Sequence, residues 1–191
     1  MRKLTYYVAT SIDGFIADPA GGYDFFPIKP DVMGAMNAER PETVPTQFRA
    51  AVGIADAPNR CYDTILMGRH SYTPALDAGI TSPYAHLRQY VFSRTLTNDD
   101  PAVELVAGDA LATVRKLKEE QAGLGIWLCG GGQLASQLLP EIDELVIKQH
   151  PVLLGAGIPV FAEATDPKTF TLASARPFES GSVVLSYTKA L

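Results

Sequence analysis

Gly125-Ile126-Trp127-Leu128-Cys129, then Gly130-Gly131-Gly132, then Gln133-Leu134-Ala135-Ser136-Gln137-Leu138-Leu139 reads as a buried strand, a glycine turn and a helix with nothing between them. A strand that is apolar without alternation belongs in a sheet covered on both faces. Glycines at its end let backbone approach a bound group closely, and the first N–H groups of the following helix point at that group. Two other strand ends have the same character: Asp63–Met67 runs into Gly68-Arg69-His70-Ser71, and Tyr90–Phe92 into Ser93-Arg94-Thr95. Three phosphate-sized turns at strand ends suggest one site for a phosphorylated dinucleotide. Each has a plainer reading beside it, the glycines as a tight turn and the arginines as solvated side chains. A guanidinium fork suits the extra 2′-phosphate that separates NADPH from NADH, so the two arginines favour NADPH.

The rest of the chain supports an α/β fold. Leu4–Thr10 is a β-rich run that opens into the turn chemistry of Ser11–Asp18. Pro19–Pro45 is rich in Gly, Pro and Asp and reads as a long irregular connection, the kind that often covers a binding site. Gln47–Ala55 has helical spacing, Pro83–Gln89 suits a short helix, and Val103–Val106 a strand before the helix Ala110–Gln121. Leu145–Gln149 is a further strand, and Thr169–Arg176 with Ser182–Lys189 alternates with the period of an antiparallel pair. The expectation is a mostly parallel central sheet with an antiparallel C-terminal strand pair, and a single domain over 1–191.

With 191 residues, 47% of them hydrophobic, the chain has ample apolar area for one core. A net charge of −5 gives little support to a nucleic-acid surface. Cys61 and Cys129 are far apart, which argues against a disulfide. The three histidines, His70, His86 and His150, have no ligand spacing, so no metal is expected. No apolar run is long enough for a membrane span and the N-terminus has no secretory h-region, which points to a cytoplasmic protein without a membrane partner. Gly130-x-Gly132-x-x-Ala135 fits a relaxed Rossmann fingerprint, but the next strand ends in Lys148-Gln149-His150 instead of an acidic residue. The absence of Gly-x-Ser-x-Gly removes the main hydrolase signal.

Ile65-Leu66-Met67-Gly68-Arg69-His70-Ser71-Tyr72, Leu128–Leu134 with Leu139-Pro140 beyond, and Thr5–Ala17 together resemble the dihydrofolate reductase-like superfamily, most closely the riboflavin-biosynthesis reductase type, the RibD C-terminal domain family. The resemblance implies a three-layer α/β fold, a reductase using NADPH on a small pterin- or pyrimidine-like ring, and a homodimer. It implies that Ala9 and Ile16 hold the nicotinamide carboxamide through their backbone. It gives the phosphates to Gly68, Arg69, His70 and Ser71, the adenosine end to Ser93 and Arg94, and the pyrophosphate to Gly130, Gly131, Gly132, Gln133 and Leu134. Gln133 stands where an arginine can occur, which leaves more of the 2′-phosphate to Arg69 and Arg94.

The proton source departs from dihydrofolate reductases. Counting back without gaps to the carboxylate of their first helix reaches Val52, which is apolar, and Asp56 lies one turn later near a helix C-terminus. Asp13 is the acid nearest the expected nicotinamide position and is the candidate catalytic residue, although a turn cap explains it equally. Phe25 on the long loop and Phe48 on the following helix are candidate substrate-binding residues, with core filling as the alternative. An NADPH-dependent reductase is the first reading, and a nucleotide-binding protein of the same fold without turnover is the alternative. Deamination is excluded for this chain by the lack of His-x-Glu with Pro-Cys-x-x-Cys.

Overall fold

A computed structural model describes residues 1–98, 100–163 and 167–190. In chain order it contains β1 (Leu4–Thr10), β2 (Phe15–Ala17), α1 (Pro30–Glu39), α2 (Thr46–Arg49), β3 (Tyr62–Gly68), α3 (Arg69–Asp77), β4 (Arg88–Phe92), β5 (Val103–Val106), α4 (Ala110–Glu119), β6 (Gly125–Gly130), α5 (Gly132–Leu138), β7 (Glu144–Gln149), β8 (Ile158–Pro159), β9 (Phe170–Pro177) and β10 (Val183–Lys189). Eight strands form one sheet in the order β5-β4-β3-β6-β1-β7-β10-β9, and β2 pairs with β8 in a separate ribbon. From β5 to β7 every pairing is parallel, whereas β10 runs antiparallel to both β7 and β9. The sheet and its antiparallel pair are those expected from the sequence.

Alternation along β1 explains the layers. Leu4, Tyr6 and Val8 face one way and pack with Leu66, Ile126 and Leu128 under α4 and α5, through Val114, Leu117, Leu134 and Leu138. Tyr7 faces the other way and packs with Ile65, Met67, Trp127 and Val146 under α1 and α3, through Val32, Met36 and Tyr72. A strand with covers on both faces must be apolar at odd and even positions alike, which is why β1, β3 and β6 read as continuous runs.

Three local expectations change. The stretch 19–45 contains a ten-residue helix, α1, introduced by Pro30 at its first turn and followed by a short 3-10 turn at Pro41–Thr43. The Gln47–Ala55 helix shrinks to the four residues of α2, and the chain beyond turns through Gly53 at φ +73°. Pro83–Gln89 is turns leading into β4, which starts at Arg88 instead of Tyr90. Cys61 and Cys129 are both free thiols.

Candidate functional site

The site follows from where the connections go. β3 continues into α3 on the Trp127 side of the sheet, while its neighbour β6 continues into α5 on the opposite side. Adjacent parallel strands whose helices leave to opposite faces open a crevice at their C-terminal ends, where ligands bind in open α/β sheets. Gly68 ends β3 and Gly130 ends β6, so both glycine turns lie at this crevice.

Backbone proximity there is tight. A Cβ on Gly68 would stand 3.4 Å from the Gly130 carbonyl oxygen and 3.5 Å from the Gly131 nitrogen. Gly130 has φ +138°, open to glycine alone, and its peptide to Gly131 is cis. Ser71 Oγ lies 3.6 Å from where a Gly130 Cβ would be, and Ile16 Cδ1 lies 4.0 Å from the equivalent point on Gly131. The turn after β3, the turn after β6 and the loop after β1 therefore meet. α3 begins at Gly68 with no side-chain cap, so the first-turn amides of Arg69, His70 and Ser71 stay available to an anion.

The third turn adjoins through Arg69. Its Nη1 donates to Thr95 Oγ1 at 3.4 Å and its Nη2 to His70 Nε2 at 2.9 Å. Ser93 Oγ accepts from the Thr95 and Leu96 amides, which fixes the turn that carries the exposed Arg94. Ala9 is half-exposed at the end of β1, in register with Lys148 of β7. Ile16 sits in the β2–β8 ribbon and packs against the core. A Cβ on Gly132 would collide with the Pro159 carbonyl oxygen, Gln133 is exposed, and the Leu134 side chain belongs to the core. Any cofactor contact by Leu134 is left to its backbone.

Asp13 is held in the loop by its own hydrogen bonds. Its carboxylate accepts from Ser11 Oγ at 2.6 Å and from the amides of Gly155 and Leu154, tying the loop after β1 to the chain before β8. The Ser11 hydroxyl, and after it these amides, hold the Asp13 carboxyl below its ordinary value, so it is ionised near neutrality. Val52 is an exposed turn residue past the end of α2, and Asp56 lines a small cavity with Arg49 and His86.

The aromatics also separate. Phe25 and Phe26 stand 4.5 Å apart, and Phe26 lies 5.1 Å from the His150 ring, so the loop before α1 leans on the end of β7. Phe48 is 56% exposed on α2. That cluster was not singled out from the sequence: Trp127 contacts Tyr7 at 6.0 Å and Tyr84 at 5.2 Å between ring centres, with Cys129 and Lys148 beside them. Burial first, then Cys129, Tyr23 and Tyr7, hold the Tyr84 phenol well above its ordinary value, and burial pushes the Cys129 thiol up to about 12. Both stay protonated at neutral pH. The alternation of β6 and β7 carried the signal, since Trp127, Cys129, Val146 and Lys148 share one face.

Two cavities open elsewhere. One of about 320 Å³ lies between Arg2, Arg40, Tyr62 and Glu144 at the opposite ends of the strands, and one of about 270 Å³ lies beside His86. Neither gathers backbone donors at a switch point, and an extended dinucleotide needs an open edge more than an enclosed hole. Among the described residues no group of His, Cys, Asp and Glu is arranged to hold a metal ion, and no helix is long and apolar enough to cross a membrane.

The RibD C-terminal domain family matches residues 2–184, nearly the whole length of the chain. The chain belongs to that family. As a RibD C-terminal domain protein it is 30% identical over 192 residues to the uncharacterized protein YwjB of Bacillus subtilis (strain 168), covering 99% of each chain. Among solved structures it is similar to a protein from Shewanella sp. PV-4 described as belonging to riboflavin biosynthesis, with 26% identity, a TM-score of 0.69 and full coverage of both chains. The fold is that of dihydrofolate reductases too: the Enterococcus faecalis dihydrofolate reductase complexed with NADP(H) superposes with a TM-score of 0.68 at 12% identity, covering 99% of this chain and 97% of that one.

Proposed function

We propose that this RibD C-terminal domain protein is an NADPH-dependent oxidoreductase that delivers a hydride to a small heterocyclic, pterin- or pyrimidine-like substrate. The observation that carries the reading is the meeting of Gly68, Gly130-Gly131, Ser71 and Ile16 at the switch point. The crevice fits a dinucleotide because it is built of glycine backbone that a Cβ would fill, beside a helix start whose amides no side chain caps. In this reading Gly68 to Ser71 and Gly130 to Gln133 grip the pyrophosphate, Ser93, Arg94 and Arg69 take the 2′-phosphate end, and backbone at Ala9 and Ile16 orients the nicotinamide. Bound NADPH supplies the hydride. The chain's own part is to hold the ring beside the aromatic wall of Tyr7, Tyr84 and Trp127, to exclude water and to polarise the acceptor.

The long outer strand β9, exposed along nearly its whole length, supports a homodimer as part of the same reading, and the family's usual setting supports a cytoplasmic one. Sedimentation would show one species of twice the chain mass. The cofactor is tested by thermal shift, since a ligand that binds only the native state raises its melting point. NADPH near millimolar concentration is expected to raise it, and NADH to raise it less. No shift with either would end the cofactor reading.

One observation favours a second reading, nucleotide binding without turnover: Asp13, the acid nearest in sequence to the expected nicotinamide position, and Asp56, one turn beyond the expected donor position, are a loop clamp and the wall of a separate cavity. Oxidation of NADPH in the presence of a panel of pterins and pyrimidines separates the two. Binding without oxidation of any member would favour the second.

A further inference from the structure

Lys148 is the side chain at this edge that the cofactor reading leaves without a task. It pairs with Ala9 in the sheet register, and its Nζ stands 4.6 Å from the centre of the Tyr7 ring. Its charge also reaches Cys129 on β6 and His150 two residues further along. The ammonium therefore sits over Tyr7, whose ring the Glu39-paired Arg40 also faces at 5.7 Å, and beside the residue expected to hold the nicotinamide. It is half-buried, yet among the described residues no carboxylate lies within ion-pairing distance and no acceptor within hydrogen-bonding distance.

Other sequestered cations of the molecule are provided for. Arg2 pairs with Asp63 and Glu120, Lys118 with Glu141 and Asp143, and Arg40 with Glu39. Arg49 gives its guanidinium to the carbonyls of Pro41 and Ala57. Withdrawing an ammonium from water costs free energy unless an anion or acceptor replaces the lost hydration, and the face of one tyrosine replaces a fraction of it. An aromatic wall with a single unmatched cation suits a flat ring with one negative substituent. A phosphate draws on several donors at once, whereas one ammonium matches the single charge of a carboxylate.

We propose, within the reductase reading, that Lys148 is the specificity-determining residue of the substrate half of the site and that the ring accepted there carries a carboxylate. The test uses orotate and uracil, the same pyrimidinedione with and without a carboxylate, titrated against the full chain with and without NADPH. Trp127, the chain's one tryptophan, reports binding through its fluorescence. Orotate is expected to bind the wild type about tenfold or more tightly than uracil, the factor of one charge-assisted hydrogen bond.

Lys148→Met and Lys148→Gln are expected to bring the two ligands within about twofold while melting near the wild-type temperature, and Lys148→Arg to keep the preference, because it keeps the charge. The proposal is overturned if the wild type shows no preference for orotate, whether both ligands bind or neither does, or if the preference survives in Lys148→Met. Loss of NADPH binding would sink the reductase reading separately, because the orotate comparison is also read without cofactor.

Discussion

Arg94 is exposed in the turn after β4, while Arg69 bridges to the same turn through Thr95, so under the proposed function the two arginines would divide the phosphate work unequally. Arg94→Gln is expected to weaken NADPH about tenfold or more and to leave NADH within about twofold, as measured by calorimetric titration. An equal loss for both cofactors would move Arg94 away from the 2′-phosphate. Asp13 supports a prediction in acid. Its carboxyl is held below the ordinary value in the fold, so its contribution to stability is complete above that ordinary value and is lost as pH falls through the folded one. In Asp13→Asn that part of the acid dependence of the melting temperature should vanish, whereas a proton donor would show itself in the pH profile of turnover.

Packing between elements is tested most sharply at two glycines. A Cβ at Gly132 would collide with the Pro159 backbone oxygen, whereas at Gly34, exposed inside α1, it would meet nothing within 4 Å. Gly132→Ala should cost about 1–3 kcal/mol by overpacking. Gly34→Ala should gain about 0.5–1 kcal/mol by stiffening the unfolded chain at a helical position. Urea midpoints of the two variants should fall on opposite sides of the wild type. The same elements explain what the sequence concealed. α1 was illegible because Pro30, Gly34 and the neighbouring loop residues imitate a linker, and its burial rests on only Val32 and Met36. Helical spacing at Gln47–Ala55 was overruled by the left-handed Gly53. The three turns were legible because glycine and arginine after an apolar run have few other uses. Lys148 and Tyr84 were hidden because the aromatic cluster beside them is assembled from residues far apart in the chain, and a lone lysine in a strand carries no local signature.

Two apolar layers share one sheet, and we expect residues 1–191 to behave as one domain. Leu128 is fully buried in the layer under α4 and α5. Leu128→Ala should cost about 2–5 kcal/mol, and circular dichroism of backbone and of aromatic side chains should move together to the lower midpoint. Separate transitions would divide the chain into two units. The position of β1 also bears on how the polypeptide is made. Within residues 1–191 the strand β1 lies between β6 and β7, so its two parallel partners are synthesised only with residues 125–130 and 144–149. Until β6 emerges a largely apolar strand waits unpaired, and closure of the middle of the sheet is deferred to that point. Chaperone occupancy in the cell should accordingly be higher on nascent chains that stop short of β6 than on those that extend past β7.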